Sequence, residues 1–365
     1  MEIMVSTCTQ QWENTSVFIT GHTGFKGAWL SLALHDAGAH VHGYALNPPT
    51  TPSLFDTLCI ADLLKTDTRE NLSNLSALRR AIEDAQPKVV FHLAAQPLVR
   101  VGYRDAVGTF STNVMGTAHL LEAIRGLDCV KAVVIITTDK VYENREWVYP
   151  YRESDPLGGY DPYSASKAAA EIVVASYRSS FFNPASGCST KIATVRAGNV
   201  IGGGDWAKDR LLPDCLRAFE SGQSVHLRYP NAVRPWQHVL EPIFGYVEIA
   251  QKLRSLEGDR YACAWNFGPD ASGDATVGEV AQMTAKIWGG DALVKIDQGS
   301  DHPHEAGLLR LDISRVRSEL GWKPVWTVEQ AIESTVRWHQ AWMKNQDMRA
   351  YSLAQIDSYR SAQAL

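Results

Sequence analysis

A glycine triplet, Gly21-His-Thr-Gly24-Phe-Lys-Gly27, stands near the start of the chain between two segments of different texture. Before it, Ser16-Val-Phe-Ile-Thr20 is short, apolar and β-branched, the pattern of a buried strand. After it, Phe25, Ala28, Trp29, Leu32 and Ala33 recur at helical spacing, and Gly38 supplies a stop. Glycines let a backbone turn sharply and lie close to a pyrophosphate. The helix start then offers free N–H groups and the positive end of the helix dipole. A glycine-rich turn alone is a common loop device. Its place between a first strand and a first helix points to a dinucleotide. Gly21, Thr23, Gly24, Phe25, Lys26 and Gly27, with His22, are the candidate cofactor-binding residues there. Their glycine spacing is three and three, not the two and three of the common dinucleotide fingerprint.

The rest of the first half repeats the alternation. Strands are expected at His40–Tyr44, near Ala61–Leu64, at Val89–Leu93, Ala132–Thr137 and Ile192–Arg196. Helices are expected at Ala77–Ala85, Val107–Arg125 and Tyr163–Arg178. The strands are continuous apolar runs, as in a parallel sheet covered on both faces. The expected fold is α/β, a Rossmann-type doubly wound parallel sheet with a smaller C-terminal substrate-binding domain. The texture changes after Arg196, where Gly, Pro, Trp and Arg cluster irregularly up to Trp236. Helices resume at Pro242–Leu253, Val277–Trp288 and Val328–Lys344, and 347–365 reads as a peripheral or frayed helix. The expected division is 1–196 for the dinucleotide and 197–365 mainly for substrate, with one segment returning to the sheet.

Composition bounds the function. A net charge of −5 gives no electrostatic case for nucleic acid or an anionic membrane, so any cationic ligand site must be local. No apolar run reaches membrane-spanning length, and Met1–Thr15 lacks the features of a secretory signal. The six cysteines are scattered without metal-site spacing and read as reduced cytoplasmic thiols. The second strand ends in Tyr44-Ala-Leu-Asn-Pro-Pro, with neither the usual acid for an adenosine ribose nor a cation for a 2′-phosphate. NAD and NADP both stay open on that ground, and the missing cation favours NAD.

Tyr163-Ser-Ala-Ser-Lys167 places a phenol and an amine four apart on one helix face. A nearby ammonium lowers a phenol's pKa, so Tyr163 is expected to act as a base near neutrality. Thr137-Thr-Asp-Lys140 lies upstream at the end of a strand, where ligands of such sheets bind.

These motifs together resemble the extended short-chain dehydrogenase/reductase family over almost the whole chain. The shared features are the glycine triplet, Ala94-Ala95-Gln96, Asn113-Val-Met-Gly-Thr117 and the Tyr163/Lys167 pair. The resemblance implies that Ala94, Ala95, Gln96 and Asn113 serve the cofactor, NAD. It implies that Asp67 and Arg69 lie near its adenine, and that Lys167 holds its nicotinamide ribose. It also implies that Thr138 hydrogen-bonds substrate beside Tyr163. Thr138-Asp139-Lys140 with Val141-Tyr142, Val195 to Trp206 and Arg234-Pro-Trp-Gln-His-Val239 resemble the CDP-glucose 4,6-dehydratase branch. Commoner sugar-nucleotide dehydratases carry Thr-Asp-Glu or Thr-Glu there. The branch implies C4 oxidation, loss of water across C5/C6 and hydride return to C6. Asp139, kept protonated by burial, is the expected acid. Lys140 is either the C5 base or a structural cation paired with Asp139.

For the substrate, CDP-glucose, Arg234 is the leading phosphate candidate, with Lys208 and Arg210 secondary. Asn199 resembles a family residue at the substrate phosphates, and Gln96, Arg100 and Tyr103 are expected to line the sugar pocket. His302, His304 and Glu305 read as a loop touching nucleotide or domain edge, with His304 the substrate candidate; no third metal ligand stands at usable spacing, so no metal is expected. The family resemblance further implies a homodimer formed through the helices flanking Tyr163.

Overall fold

The computed structural model describes residues 11–270, 273–296 and 307–364. Its strands are β1 Ser16–Thr20, β2 His40–Ala45, β3 Thr66–Arg69, β4 Val89–His92, β5 Ala132–Ile136, β6 Lys191–Ala197, β7 Asn199–Ile201, β8 Val225–Leu227, β9 Val233–His238, β10 Ala264–Phe267, β11 Asp274–Thr276 and β12 Val294–Ile296. Seven form one sheet in the order β10-β6-β5-β4-β1-β2-β3, every neighbouring pair parallel. The sequence therefore winds outward from β1 in both directions, and the break between β1 and β4 is the switch point where such sheets bind ligand.

The apolar runs divide by alternation. Val17, Ile19, Val89, Phe91, Ala132 and Val134 face one layer, with Trp29 and the helix Leu240–Leu253. Phe18, Val90, Val133 and Ile135 face the other, with Leu78, Ile82 and Leu120. Both faces are covered, so neither parity of a central strand can be polar.

Three expectations differ from what is found. Ile60–Leu63 is a 3₁₀ turn, and the third strand follows it at Thr66–Arg69. That strand is a largely exposed edge, Thr-Asp-Thr-Arg, with no apolar pattern to reveal it. The expected helix Val107–Arg125 begins at Ala106 and passes through a π turn at Ser111–Met115 before Gly116–Ile124. The C-terminal segment is neither peripheral nor frayed. It is the helix Met348–Gln363, which docks on Phe25–Asp36 through Arg360 and Asp36, and buries Met348, Ile356 and Tyr359. The Tyr359 hydroxyl donates to Glu241 Oε2 at 2.7 Å.

Beyond β6 the chain builds a three-stranded sheet, β11-β9-β7, and a two-stranded one, β12-β8. Helices Leu211–Glu220, Val277–Trp288 and Val328–Met343 enclose Leu212, Leu216, Trp236, Val280 and Val336. Within this region β10 returns to the large sheet and pairs with β6. Among the described residues no helix is long and apolar enough to cross a membrane.

Candidate active site

A cleft of about 1360 Å³ opens over the carboxyl ends of β1, β4 and β5 and runs toward β8 and β9. Its floor is the glycine turn. Gly21 has φ +77°, and a side chain there would lie 2.5 Å from the Ala94 backbone nitrogen. A Cβ at Gly27 would meet the Gly21 carbonyl at 2.1 Å, so only glycine lets the helix Phe25–Asp36 start this close to the turn. Gly24 caps that helix without a side-chain hydrogen bond, and its first turn holds no acid. The opening N–H groups therefore remain available, which fits a dinucleotide pyrophosphate.

The cradle is braced from behind. His22 is fully buried, with Nε2 2.8 Å from Asp67 Oδ1. Gly43 makes room for it, since a Cβ there would sit 2.6 Å from the imidazole. Burial lowers the His22 pKa, which favours the neutral ring. Asp67 pairs with Arg69 at 2.7 Å, and Arg69 covers the Phe55 ring and donates to the Leu46 carbonyl. Register explains the last contact: Arg69 stands opposite Ala45. A cation does reach the end of β2, then, but it comes from β3. Thr23 ties the turn to the same point, donating to the Leu46 carbonyl at 3.0 Å. Gly21, Thr23 to Gly27, Ala94 and Ala95 line the cleft; the side chains of His22, Asp67 and Arg69 brace it.

Gln96 and Asn113 are placed differently from their expected roles. The Gln96 side chain donates to Thr109 Oγ1 on the helix Ala106–Phe110 and accepts from Leu98 N, and so is spent on the protein itself. Asn113 is buried, accepts from Gln96 N at 2.8 Å and donates to Ser166 Oγ at 2.8 Å. The π turn aims Asn113 between the loop after β4 and the helix carrying Tyr163, where its amide locks one to the other.

The candidate catalytic groups converge at the end of β5. The helix Pro162–Ser180 opens with Asp161 as cap, accepting from Ser164 N at 3.0 Å, and Pro162 at its first position. Tyr163 and Lys167 follow one turn apart. Lys167 is buried and its Nζ donates to the Ile136 carbonyl at 3.0 Å. Thr138 and Asp139 are buried, and Thr138 Oγ1 donates to Asp139 Oδ1 at 2.9 Å. The second oxygen, Asp139 Oδ2, is buried without a partner. Burial holds this carboxyl above the usual carboxylate range, against the pull of Lys140, Thr138, Arg234 and Lys26. Lys140 lies half-buried on the cleft wall and forms no ion pair with Asp139 among the described residues. Its charge nevertheless acts on the Asp139 carboxyl.

Tyr163 corrects an expectation. Burial pushes its phenol up to about 12, and the hydrogen bond shared with Thr138 offsets only part of this. The same burial brings Lys167 down to about 8. The Lys167 amine is engaged with the Ile136 carbonyl, and desolvation is the leading cause of both shifts.

Behind Lys167 lies a buried network that sequence reading missed. Glu171 and Arg196 pair at 2.9 Å, each 4% exposed. Glu171 also accepts from Thr137 and Thr194 at 2.6 Å, while Arg196 donates to Tyr142 OH at 2.9 Å. Glu171 stands one turn beyond Lys167, so helical spacing was the available signal. Glu171→Gln is expected to destabilise the fold by about 3–5 kcal/mol, because Arg196 is left buried and unpaired. An unchanged urea midpoint would refute this.

The far wall carries the substrate candidates. Arg100 pairs with Asp209 at 2.9 Å, and Arg210 with Asp205 at 2.8 Å. Arg234 is buried on β9 and lines the cleft with Asn199, Tyr103 and Lys208. His302, His304 and Glu305 lie outside the described residues. Among the described residues no group of three potential metal ligands occurs.

The family model described as GDP-mannose 4,6 dehydratase matches residues 18–335. The chain belongs to that family. Among its relatives, the CDP-glucose 4,6-dehydratase of Salmonella typhimurium is 50% identical over 353 residues, which is 96% of this chain and 98% of that one. A dTDP-glucose 4,6-dehydratase of Xanthomonas campestris is 26% identical, covering 93% of this chain and 97% of its own. Among solved structures, the UDP-glucuronic acid 4-epimerase of Bacillus cereus, in complex with UDP-glucuronic acid and NAD, superimposes with a TM-score of 0.77 at 22% identity, over 89% and 99% of the two chains. The dTDP-glucose 4,6-dehydratase of Bacillus anthracis, in complex with NAD, gives 0.74 at 21% identity, over 91% and 98%. Family membership thus rests on sequence across nearly the whole chain, and the structural neighbours establish the same fold.

Proposed function

We infer that this protein is an NAD-dependent CDP-glucose 4,6-dehydratase, converting CDP-glucose to CDP-4-keto-6-deoxyglucose for deoxysugar biosynthesis. The observation that carries the reading is the half-identity, end to end, with a CDP-glucose 4,6-dehydratase. The convergence of Thr138, Asp139, Lys140, Tyr163 and Lys167 in one cleft supports it.

NAD held over the glycine turn supplies a hydride acceptor for C4 and a donor for C6. Tyr163 takes the C4 hydroxyl proton, with Thr138 beside it and Lys167 underneath. A 4-ketone acidifies the C5 hydrogen, and Lys140 removes it. Asp139, protonated through burial, gives its proton to the departing C6 oxygen. Arg234 and Arg210 neutralise the diphosphate, with Asn199 and Arg100 nearby. In this reading, 1–196 chiefly serves the cofactor and 197–365 the nucleotide sugar.

A homodimer is part of the proposal. Val107 is 81% exposed on the helix Ala106–Phe110 and Ile172 60% on the helix that carries Tyr163, and Phe110, Met115 and Phe181 are exposed as well. Exposed apolar side chains on these two helices support an interface there. Cys59, Cys129, Cys188, Cys215 and Cys263 are unbridged, which suits a cytoplasmic setting.

The test is a panel of CDP-, UDP-, GDP- and dTDP-glucose with NAD added, scored for the 4-keto product. CDP-glucose is expected to react at least about 10²-fold faster, because base-specific hydrogen bonds fail when donors and acceptors swap. Equal rates across the panel would sink the substrate assignment and leave the fold untouched.

A further inference from the structure

Asp139 and Lys140, the acid and the base of the elimination, stand in a 3₁₀ turn of three residues, Asp139–Val141. That turn has little stiffness of its own. The bonds within it, from Lys140 N to Thr138 Oγ1 and from Val141 N to the Thr138 carbonyl, are both 3.4 Å long, beyond the ordinary range for N–H···O. Before the turn, Thr137 N donates to the Val195 carbonyl at 2.9 Å and the chain leaves the sheet; after it, Gly158 N reaches the Val141 carbonyl at 2.8 Å. Neither of these bonds touches Asp139 or Lys140.

The side chains that flank the turn are held more firmly, and both by one pair. On the near side, Thr137 Oγ1 donates to Glu171 Oε1 at 2.6 Å. On the far side, Tyr142 OH donates to Asn266 Oδ1 at 2.6 Å and accepts from Arg196 at 2.9 Å. The Tyr142 ring stacks on Tyr151, and the Arg196 guanidinium stands 5.0 Å over it. Glu171 and Arg196 are joined to each other by two hydrogen bonds, of 2.9 and 3.1 Å. Thr137, Tyr142, Glu171, Arg196 and Asn266 are all buried, so water does not compete for these bonds. Burial raises the Glu171 carboxyl, but Arg196 with Thr137 and Thr194 outweighs it and holds the group below the usual range, as a carboxylate. A buried ion pair adds little stability over apolar residues of the same size, yet its bonds run in fixed directions. Glu171 lies on the helix that carries Tyr163 and Lys167. One pair therefore ties both ends of the elimination turn to the helix that bears the oxidation groups.

We propose, resting on the dehydratase reading of the site, that Glu171 and Arg196 are positioning residues for the elimination, holding Asp139 and Lys140 in register with Tyr163 through the Thr137 and Tyr142 hydroxyls. Tyr142, Glu171 and Arg196 are absent from the lining of the cleft, so they act through the turn and not on the sugar.

Glu171 itself is a poor probe, because its loss leaves Arg196 buried and unpaired. Tyr142→Phe removes one oxygen and leaves the ring between Tyr151 and Arg196. Thr137→Val removes the other hydroxyl at equal volume, and Thr137→Ser restores it. With NAD and CDP-glucose, Tyr142→Phe and Thr137→Val are expected to oxidise C4 within about 3-fold of the parent rate and to lose about 10–10²-fold in kcat, the scale of a 1 Å misplacement. Reduced cofactor is expected to accumulate, with KM within about twofold of the parent, and Thr137→Ser to recover most of the lost kcat. A second readout needs neither cofactor nor substrate. Hydrogen exchange of the amides of Asp139–Val141, followed by mass spectrometry, is expected to quicken at least about 10-fold in Tyr142→Phe and Thr137→Val, while Val133–Ile136 exchanges as in the parent. A lowered Tm with no accumulation of reduced cofactor would make the pair merely structural and overturn the proposal. Unchanged exchange in the turn would overturn it too, as would equal losses in oxidation and elimination. Failure of the dehydratase reading looks different: the parent would yield no 4-keto product in the nucleotide panel, while the quickened exchange would persist.

Discussion

Tyr163→Phe is expected to fold as the parent does and to lose at least about 10³-fold in turnover of CDP-glucose, because the C4 hydroxyl then has no group to take its proton. The fold should survive because only one oxygen is removed from a helix anchored by the Asp161 cap, Pro162 and the Asn113–Ser166 bond. Circular dichroism and thermal unfolding check the first half, and the rate of 4-keto product the second. Removing the hydroxyl also takes away a partner of Thr138, so a small change in stability is expected alongside the large loss of rate. A folded variant with near-parent turnover would remove Tyr163 from the chemistry. The high resting pKa of Tyr163 gives a further sign: little of the phenol is ionised near neutrality, so turnover should rise with pH below that point.

Lys140→Met and Asp139→Asn are expected to separate elimination from oxidation. Each should still oxidise C4 and then stall, holding the cofactor in its reduced form, visible by absorbance. Methionine cannot remove the C5 proton, and an amide cannot give one to the departing oxygen. Overall product formation should fall about 10²–10⁴-fold in both. Substrate deuterated at C4 should, in the parent, yield product deuterated at C6 with no net reduced cofactor. Completion at full rate by Lys140→Met would make that lysine structural and return the base to Tyr163 or another group. Loss of the deuterium to solvent would end the dehydratase reading and leave an ordinary dehydrogenase. Asp139→Asn carries a further consequence. Its Oδ2 is buried without a partner and its carboxyl is destabilised as an anion, so the amide is not expected to unfold the protein.

How much could be read in advance follows from where each signal is stored. The central strands are visible because both faces are buried, so every residue of Ala132–Ile136 has to be apolar. β3 is invisible for the opposite reason: as an exposed edge its residues need only fit the pleat. The C-terminal helix reads as peripheral because its buried stripe is thin and mixed, Met348, Ser352, Ile356 and Tyr359, and its partner Glu241 lies 118 positions away. The site divides the same way. Gly21, Gly27, Tyr163 and Lys167 announce themselves through local spacing, since a tight turn and a helix face are local objects. Gln96 and Asn113 have the right positions, yet the Gln96 amide is used on Thr109 and Leu98 and the Asn113 amide on the Gln96 backbone and Ser166, which no spacing reveals.

The sequence by itself determined the central strands and the helices between them, the glycine cradle, and the chemical types gathered at the strand ends, because backbone turns and side-chain periodicity act over a few residues. Only the tertiary structure decided which charges those groups carry. Asp139 favours its proton, Lys167 and Lys26 are poised lower than exposed lysines, and Tyr163 is held high, all through burial created by segments distant in the chain. Desolvation is a property of what surrounds a group in space, and the groups surrounding the end of β5 come from residues as far apart as Lys26, Arg210 and Arg234.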